Sequence, residues 1–430
     1  MLVTADRVFG GHLYVRNGKI AAISDDGTLP AREELDAAGL YVLPGMLDCH
    51  AHINDPGFTW REDLPHASEA AAVGGVTTLI DMPLQNTPPL TSADAFANKL
   101  AVFEGRSLVD YALWGGLVTD NTAELAGMDA AGAVGFKAFI APVSLGYSSV
   151  DMGLAREALF RIKAFGGLAG FHCEDHALIC AGEAKAKAGG GTRRAFLDSR
   201  PVVAEVIATA NVIELARETG ARVHICHVSH PRVAELVRRA QADGLSVTGE
   251  TCPHYLVFTE ENLLSCGTVF KCAPPLRTAE ARDGLWEYVL DGTLSCIGSD
   301  HSPSRPDEKD EAVHGVMGAW GGLSGLQSLV QVMFDQAVTR RGCRPSLLAR
   351  FAGRKGALGV GLDADAVLID PGRAWTITAH SLRYLNPFSA FEGLEGVGLP
   401  VCTVVRGRVV AREGNVLAPF GHGLFQPRKS

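Results

Sequence analysis

The sequence of 430 residues lacks the features that would place it in a membrane, on nucleic acid or outside the cell. It has no apolar run approaching about 18 residues, the length that a membrane-spanning helix needs. It has no basic excess, because 48 acidic and 39 basic residues give a net charge of −9. Its first residues lack the basic start and apolar core of an export signal. We therefore expect a cytoplasmic protein that acts on a small molecule and binds neither nucleic acid nor membrane.

Cysteine pairs typical of disulfide or zinc-ribbon scaffolds are also missing. None of the ten cysteines forms a CxxC pair, and several lie inside apolar runs, as Cys49, Cys226 and Cys296 do. In a reducing compartment such residues are small buried hydrophobes. Hydrophobic residues make up 47% and charged residues 20% of the chain, which is typical of packed globular proteins and not of disordered or fibrous ones. The length indicates one large domain plus a smaller one.

Between residue 40 and about residue 300, short apolar runs alternate with longer Ala-rich segments of helical period. Eight runs rich in Val, Ile, Leu and Phe are strand candidates: LYVLPGMLDCH, GVTTLIDMP, YALWGGLV, AVGFKAFI, GLAGFHCED, ARVHICHVS, LSVTGETCPHYL and LSCIGSDHSP. This alternation is typical of repeated βα units. Eight strands favour a closed (β/α)8 barrel of the TIM type over a doubly wound sheet, which usually has fewer strands.

Helix candidates lie between these strands, and several close with the glycine expected just past a helix end. They include DLPHASEAAAVGG, SADAFANKLAVFE, DMGLAREALFRIKAFGG, VVAEVIATANVIELARETG and PRVAELVRRAQADG. The Gly- and charge-rich segment 180–200 interrupts the pattern and is predicted to be a mobile or subunit-contacting insertion.

The two ends of the chain have a different pattern. Residues 1 to about 40 and about 360 to 420 alternate apolar and polar residues around Gly turns, which predicts β-hairpins. We expect residues 1–45 and 358–430 to form one small β domain, and residues 46–357 to form the barrel.

Polar residues at the carboxyl ends of the strands are the functional candidates, because active sites of such barrels lie there. His50 and His52 end the first strand and share one face, since side chains alternate along a strand. The other candidates lie on four further strands: Lys137 on the fourth, His172 on the fifth, His227 on the sixth and Asp300 on the eighth. Four imidazoles, a carboxylate and an amine are therefore expected at one barrel mouth.

Each candidate also has a structural interpretation. A single histidine near a strand end is more often hydrogen-bonded than metal-bound, and His224, of opposite parity to His227, is expected to have that structural role. Lys137 is harder to explain in this way, because burying an ammonium group near Phe136 and Phe139 is costly without a partner. A lowered pKa would leave its amine neutral and able to add carbon dioxide. The product is a carbamate, an anionic ligand with two oxygens.

Taken together, these side chains predict a two-metal hydrolytic site. Imidazole suits zinc, and mixed nitrogen and oxygen ligands also admit manganese, iron or cobalt. Two metals about 3.5–4 Å apart can share a hydroxide, lower the pKa of its parent water and polarise a substrate carbonyl. The complete set is much stronger evidence than any one of its members.

Seven segments resemble motifs of the amidohydrolase superfamily, in its cyclic-amide branch of dihydroorotases, hydantoinases and allantoinases. They are DCHAH, GGVTTLIDMP, GFKAF, FHCED, CHVSH, GETCPHYL and GSDHSP. The resemblance covers nearly the whole chain. It implies a small β-sandwich formed by both termini beside the barrel, two divalent metal ions per chain, and a homo-oligomer, either a tetramer or a dimer.

The resemblance also implies a role for each candidate residue. The ligands would be His50, His52 and Asp300 for the first metal, His172 and His227 for the second, and carboxylated Lys137 as the bridge between them. Asp300 would also be the general base, which takes the proton of the bridging hydroxide and delivers it to the leaving nitrogen.

The likeness within this branch is greatest to allantoinases. Dihydroorotases typically place an Arg two residues after the second His, where it pairs with a substrate carboxylate; this chain has Asn54. Hydantoinases typically carry a Tyr five residues after the modified Lys; this chain has Pro142, although Tyr147 is close in sequence. The segments HINDPG, DMPLQNTPP, KCAPPLR and WGGLSGLQ have counterparts in allantoinases, which usually have Glu at Asp55. The loop 141–153 is less typical and leaves specificity open.

The predicted reaction is hydrolysis of a cyclic ureide, allantoin to allantoate, in purine catabolism. Candidate substrate contacts are Asn54, Ala273 in its Ala-Pro-Pro turn, and Gly322 in the Gly-Gly loop, largely through backbone groups; tight turns at the barrel rim explain them equally well. A hydantoinase, dihydropyrimidinase or dihydroorotase-like activity, or an acyclic N-acyl amino acid substrate, is the alternative. A non-catalytic scaffold is a weaker one, because such proteins usually lose ligands.

Overall fold

The computed structural model describes residues 1–143 and 146–428. Its strands, numbered in chain order, are β1 (Leu2–Val3), β2 (Val8–Phe9), β3 (His12–Arg16), β4 (Lys19–Ser24), β5 (Tyr41–Pro44), β6 (Met46–Ala51), β7 (Val76–Asp81), β8 (Asp110–Leu113), β9 (Gly115–Gly116), β10 (Phe136–Phe139), β11 (Leu168–His172), β12 (Arg222–Ile225), β13 (Val247–Thr251), β14 (Cys296–Ile297), β15 (Ala366–Thr376), β16 (Glu395–Val405), β17 (Arg408–Arg412) and β18 (Asn415–Val416).

The helices are α1 (Leu64–Gly74), α2 (Ala93–Phe103), α3 (Leu125–Ala130), α4 (Met152–Ala164), α5 (His176–Ala188), α6 (Arg193–Ser199), α7 (Val202–Thr219), α8 (Pro231–Ala242), α9 (Pro253–Val257), α10 (Glu260–Cys266), α11 (Ala279–Leu290), α12 (Glu311–Gly318), α13 (Leu329–Phe334), α14 (Ser346–Phe351) and α15 (Gly353–Gly356). Short 3-10 turns cover Thr268–Phe270, Pro306–Lys309 and Ala379–Ser381, and a π-helical turn covers Asp335–Thr339. Within the described ranges, no helix combines the length and the apolar character needed to cross a membrane.

Parallel strands β6 to β14 form the barrel. Strands β6, β7 and β8 pair in order, and β9 to β14 pair in order, with Trp114 between β8 and β9, which together make the third barrel strand. The barrel closes where the N–H of His52 donates to the carbonyl of His301 at 2.8 Å and the N–H of Ser299 donates to Asp48 at 2.9 Å. Eight strand positions are thus filled, and the predicted (β/α)8 barrel is confirmed.

The first predicted strand differs from the prediction because it is divided at Gly45. Its first part, β5, pairs with β1 and β15 outside the barrel, and its second part, β6, pairs with β7 inside it. A Cβ atom at Gly45 would lie 2.3 Å from Oγ1 of Thr77. The chain therefore passes from one sheet to the other at a point where only glycine fits.

The two chain ends form a sheet of their own. Its order is β18-β17-β16-β15-β5-β1-β2, and the hairpin of β3 and β4 lies apart from it. Apolar side chains from both ends form a separate core cluster, which includes Leu2, Ile20, Val42, Leu368 and Val401. Both termini thus contribute to one β unit, as expected, and the boundaries at residues 45 and 358 remain a prediction.

The last described residues return to the barrel at the amino ends of its strands. The N–H of Leu424 donates to Asp110 at 3.0 Å, and the N–H of Gln426 donates to the carbonyl of Tyr111 at 2.7 Å. Asp110 is buried and also pairs with Lys355 and Arg406. This charged cluster joins the terminal sheet and the chain end to the start of β8.

The five helix candidates all form helices, at α1, α2, α4, α7 and α8. In α1, Asp63 accepts a hydrogen bond from the N–H of His66, and Gly75 ends the helix with φ of 90°, a conformation that glycine adopts without strain. The apolar face of α8 carries Val233 and Val237, which are buried against the barrel. These helices cover the outside of the sheet and leave the carboxyl ends of the strands for the site.

Candidate metal centre

The first group of candidate ligands lies where β6 and β14 end. His50 is in β6, His52 follows it, and Asp300 follows β14. The Nε2 atoms of both histidines lie 3.3 Å from Oδ1 of Asp300. One ligand atom of each residue lies within 4.8 Å of those of the other two, and all three residues are buried. The structure thus brings together the three residues predicted for the first metal.

Glu250, on β13, fixes the orientation of His50 in this group. Its carboxylate pairs with Nδ1 of His50 and also accepts hydrogen bonds from Sγ of Cys49 at 2.9 Å and from the N–H of His227 at 3.2 Å. Burial alone would lower the pKa of His50, but Glu250 raises it to about 10. The Nδ1 proton therefore stays on the side of Glu250, and Nε2 is left facing Asp300. His224 contacts Glu250 as well, at 3.3 Å.

The second group consists of His172 at the end of β11 and His227 after β12. Nδ1 of His172 lies 3.1 Å from Nε2 of His227. The ring of His227 also lies 5.3 Å, centroid to centroid, from that of His50, so the two groups are adjacent. Nε2 of His172 contacts Glu174 at 2.8 Å, and Arg200 donates to the same carboxylate at 2.5 Å. This chain of contacts fixes the ring of His172.

Two of these residues have an unusual backbone. His227 and Asp300 adopt positive φ angles of 37° and 46°. Such angles are uncommon for residues other than glycine and cluster at functional sites, because they cost free energy that the surrounding structure must supply. The sharp turns directly follow the strand ends. The positive φ angles therefore support a functional role for His227 and Asp300.

Lys137 lies fully buried on β10 beside the second group. Within residues 1–143 and 146–428, no hydrogen-bond partner contacts its Nζ, which lies 5.1 Å from the centre of the Phe139 ring. Burial and the charge of Lys137 hold the pKa of His227 well below its usual range. A buried amine without a partner is costly. The described residues therefore leave the amine of Lys137 without the partner that its burial requires.

The other ionisable groups have the protonation states that metal binding requires. Burial lowers the pKa of His52 to about 4, and it also lowers the pKa of His172. Burial alone would raise the pKa of Asp300, but the neighbouring histidines hold it well below its usual range. At neutral pH His52 and His172 are therefore neutral imidazoles, and Asp300 is an ionised carboxylate.

The three predicted substrate contacts have different surroundings. Asn54 is fully buried, and across the described part of the chain neither Nδ2 nor Oδ1 has a hydrogen-bond partner. The N–H of Gly322 donates to the carbonyl of Lys271 at 2.9 Å, and a Cβ atom there would lie 2.4 Å from Cβ of Ser302. Ala273 is partly exposed. Asn54 therefore has free polar atoms, whereas Gly322 has a packing reason for being glycine.

Residues 41–410 match the sequence profile of the Amidohydrolase family. The chain belongs to this family. It is 39% identical to an allantoinase of Rubrobacter xylanophilus and 37% identical to an allantoinase of Escherichia coli, in each case over 96% of this chain and 94% of the relative. Among solved structures, an L-hydantoinase (dihydropyrimidinase) from Arthrobacter aurescens superimposes with a TM-score of 0.96 at 36% identity, covering 99% of this chain and 98% of that one. A dihydropyrimidinase from Brevibacillus agri gives a TM-score of 0.92 at 27% identity, covering 99% and 97%.

Amidohydrolases are metal-dependent, and the residues of this chain fit that property. The group of His50, His52 and Asp300 offers three ligand atoms close together, and the buried Nζ of Lys137 is unpaired among the described residues. Without a bound metal, burying these ligand atoms and the amine of Lys137 would be unfavourable. The resemblance inferred from the sequence motifs is thus confirmed by the family match.

The sequence did not indicate the residues that hold the ligands in place. Glu250 and Glu174 lie inside the segments GETCPHYL and FHCED. The available signal was an acidic residue within the buried strand β13 for Glu250, and one just after β11 for Glu174. Arg200 is distant in sequence from His172 and gave no signal. Side chains that act through a ligand are found only when the fold brings them together.

Proposed function

We propose that this amidohydrolase opens the ring of a cyclic ureide, converting allantoin to allantoate in purine catabolism. The enzyme class follows from the family, and the two allantoinases cited above match nearly the full length of the chain. The observation that carries the choice of substrate is Asn54. A neutral amide stands where dihydroorotases have a carboxylate-binding Arg, and its polar atoms have no partner among the described residues. A neutral ureide ring can satisfy them.

Six residues are proposed to hold two divalent metal ions, zinc in the first place and otherwise manganese, iron or cobalt. They are His50, His52 and Asp300 for one ion, His172 and His227 for the other, and carboxylated Lys137 for both. The carbamate forms when the amine of Lys137, in its unprotonated form, attacks carbon dioxide: one N–C bond forms, one C–O π bond of carbon dioxide opens, and the nitrogen releases one proton. The absence of any partner for Nζ in the described part of the chain supports this modification.

When bound, such ions lower the pKa of water and polarise a substrate carbonyl. Asp300 accepts the proton of the attacking water, because its carboxylate is ionised at neutral pH and lies beside both histidines of the first group. The same carboxylate then delivers the proton to the ring nitrogen as the C–N bond breaks. Glu250 keeps His50 in one orientation during these steps. Asn54, Ala273 and Gly322 hold the ureide, mainly through amide and backbone groups.

A hydantoinase or dihydropyrimidinase activity is the second candidate. The high TM-score of the Arthrobacter aurescens enzyme favours it. The residue that would replace the hydantoinase tyrosine is Tyr147, and its hydroxyl donates to the backbone carbonyl of Lys137 at 2.6 Å. A buried hydroxyl engaged with the backbone is poorly placed to contact a substrate. In the loop 141–153, Ser144 and Leu145 lie outside the described residues.

The remaining alternatives have less support. Dihydroorotase activity lacks the Arg at position 54. An acyclic N-acyl amino acid would carry a carboxylate, for which Asn54 offers no opposite charge. A non-catalytic scaffold is disfavoured because all six proposed ligand positions are filled.

A substrate panel tests the proposed function. Purified protein loaded with zinc and bicarbonate is offered allantoin, hydantoin, dihydrouracil and dihydroorotate, and ring opening is followed together with metal content. We expect about two metals per chain and the highest kcat/KM for allantoin. A higher value for hydantoin or dihydrouracil would contradict the choice of substrate. Two bound metals with no hydrolysis of any of the four would contradict an enzymatic role.

The protein is further proposed to be cytoplasmic and to form a homotetramer or a homodimer. Large apolar side chains are exposed on neighbouring helices, namely Phe160 on α4 and Val203 and Ile207 on α7. Exposed apolar groups of this kind often mark contacts between subunits. Light scattering of the purified protein would give the number of subunits, and a monomer at micromolar concentration would contradict the proposal.

A further inference from the structure

A buried ion pair lies beneath the turn that carries His52 and Asn54. Lys99 on α2 and Asp81 at the end of β7 are both fully buried, and their side chains form the pair. The proposed reaction uses neither of them. Asp81 accepts a hydrogen bond from the N–H of Ile53 at 2.6 Å, and Nζ of Lys99 donates to the carbonyl of Ile53 at 3.0 Å. Both polar backbone groups of Ile53 are therefore held by this pair.

Ile53 needs these partners because the chain leaves the barrel sheet at this residue. The N–H of His52 still donates to the carbonyl of His301, as in a strand pair, and the carbonyl of Asn54 already accepts from the N–H of Phe58 in the following turn. Buried backbone groups must find partners. The ion pair supplies them at the one residue between a proposed metal ligand and a proposed substrate contact.

The same ammonium group also holds the loop after β7. Nζ of Lys99 donates to Oδ1 of Asn86 at 2.5 Å, and Nδ2 of Asn86 donates to the carbonyl of Leu84 at 2.9 Å. Asp81, Ile53 and Asn86 thus use all three N–H donors of the ammonium group. Lys99 therefore joins the loops that follow β6 and β7 at the barrel mouth.

Stability alone does not explain such a pair. Apolar residues of similar volume often replace buried ion pairs without loss of stability, because removing two charges from water is costly. Here Oδ1 of Asp81 and two of the three N–H donors of Lys99 meet groups that flank the site. We propose that Lys99 and Asp81 are positioning residues, which fix the turn at Ile53 so that His52 faces Asp300 and Asn54 faces the substrate.

The role of Asn54 in this inference rests on the proposed function, whereas the placement of His52 can be measured without substrate. The test compares Lys99→Met with Lys355→Met. Lys355 is a matched control, because it pairs with the fully buried Asp110, which starts β8 at the opposite end of the barrel. Both variants leave a buried aspartate with one cation fewer.

Cobalt is the probe, because the visible absorption of Co²⁺ reports on the geometry of its ligands. We expect Lys99→Met to bind one of two Co²⁺ ions about 10- to 100-fold more weakly than the wild type, with an altered spectrum and a lower kcat for allantoin. Lys355→Met should keep the affinity and the spectrum while losing thermal stability. Unchanged Co²⁺ binding in Lys99→Met, or an equal loss in both variants, would overturn the proposal.

If Lys99→Met does not fold, the double variant Lys99→Met/Asp81→Asn takes its place, because it leaves no buried charge unpaired. The same two outcomes then decide the proposal. If the wild-type protein does not hydrolyse allantoin, the proposed function fails, but the comparison of Co²⁺ affinities still decides whether the pair positions His52.

Discussion

Glu250 touches both groups of proposed ligands with one carboxylate. It pairs with Nδ1 of His50 and accepts the N–H of His227. In Glu250→Gln, an NH2 group would replace one acceptor and leave a donor of the site unpaired. We expect metal affinity to fall about 10- to 100-fold, as for other residues that orient metal ligands.

Titration against a chelator of known affinity measures this change. Glu218→Gln is the control, because Glu218 is exposed and pairs with Arg156 at the surface. If Glu250→Gln bound metal as tightly as this control, the carboxylate would have no part in orienting His50.

Lys137 gives a separate prediction about the bridging carbamate. Lys137→Ala removes the buried amine and leaves space in its place. We expect the loss of at least one metal and nearly all activity, with partial recovery when formate or acetate is added, because a small carboxylate can supply the two missing oxygens. Metal analysis and rate measurements with and without the acid test this. Lys185→Ala, on the exposed side of α5, is the control, and wild-type activity in Lys137→Ala would exclude the carbamate.

Glu62 makes stability depend on pH. Burial raises its pKa from 4.5 to about 8, so the folded protein keeps the carboxyl protonated where the unfolded chain has ionised it. The stabilisation from this proton is complete below pH 4.5 and is lost as the pH rises through 8. Glu62→Gln keeps an acceptor without the charge. We therefore expect its melting temperature to exceed that of the wild type at pH 9 and to match it near pH 5.

Thermal melts at both pH values measure the effect, and each unit of pKa shift corresponds to about 1.4 kcal/mol. Glu104→Gln serves as an exposed control. A difference between wild type and Glu62→Gln that is the same at both pH values would show that the substitution acts through packing and not through ionisation.

The sequence could identify the proposed ligands but not their partners. His50, His52 and Asp300 stand at strand ends, where parity and barrel geometry favour function, and Lys137 stands out as an amine inside an apolar strand. Lys99 lies on an amphipathic helix, where a lysine normally faces solvent. Its burial depends on Asp81 and Ile53, which no spacing in the sequence connects to it.

At the scale of elements, capped helices were predicted best. The segment 63–75 contains an N-terminal Asp and a C-terminal Gly, and α1 lies between them. Strand divisions were not predictable, because the apolar run around Gly45 is continuous in sequence although its halves enter different sheets. The segment 180–200 contains the end of α5 and all of α6. These helices were not predicted, because the glycines of the segment suggested an irregular insertion. Its predicted mobility or subunit contact is still a prediction.

Gly45 provides a test at this scale. In Gly45→Ala the new methyl group would meet Thr77 at 2.3 Å, so either β6 or β7 must move. Overpacking of this kind typically costs about 1–3 kcal/mol. Urea denaturation measures the loss. The control is Gly10→Ala, where a Cβ atom meets nothing within 4 Å; equal stability of the two variants would mean that the boundary between the sheets is not tightly packed.

At the scale of the whole molecule, the amino and carboxyl ends of the barrel strands have separate tasks. The proposed ligands lie at the carboxyl ends. At the amino ends, Asp110 joins Lys355, Arg406 and the chain end in one charged cluster. The sequence indicated that both termini form hairpins, but pairings between residues more than 300 positions apart could not be inferred from local pattern.

This division predicts that shortening the chain affects stability more than chemistry. A protein ending at Phe420 lacks the N–H of Leu424 and Nε2 of Gln426, which donate to Asp110 at 3.0 and 2.9 Å. Hydrogen bonds to a charged group contribute about 1.5–3 kcal/mol each, so we expect a loss of about 3–6 kcal/mol in the free energy of unfolding. Metal content and KM should stay unchanged, because the cluster lies at the end of the barrel away from the proposed ligands.

Urea denaturation and kinetics measure the two effects, with Phe420→Ala as the control for an exposed side chain. A lower metal content at unchanged stability would show instead that the chain end acts on the site itself.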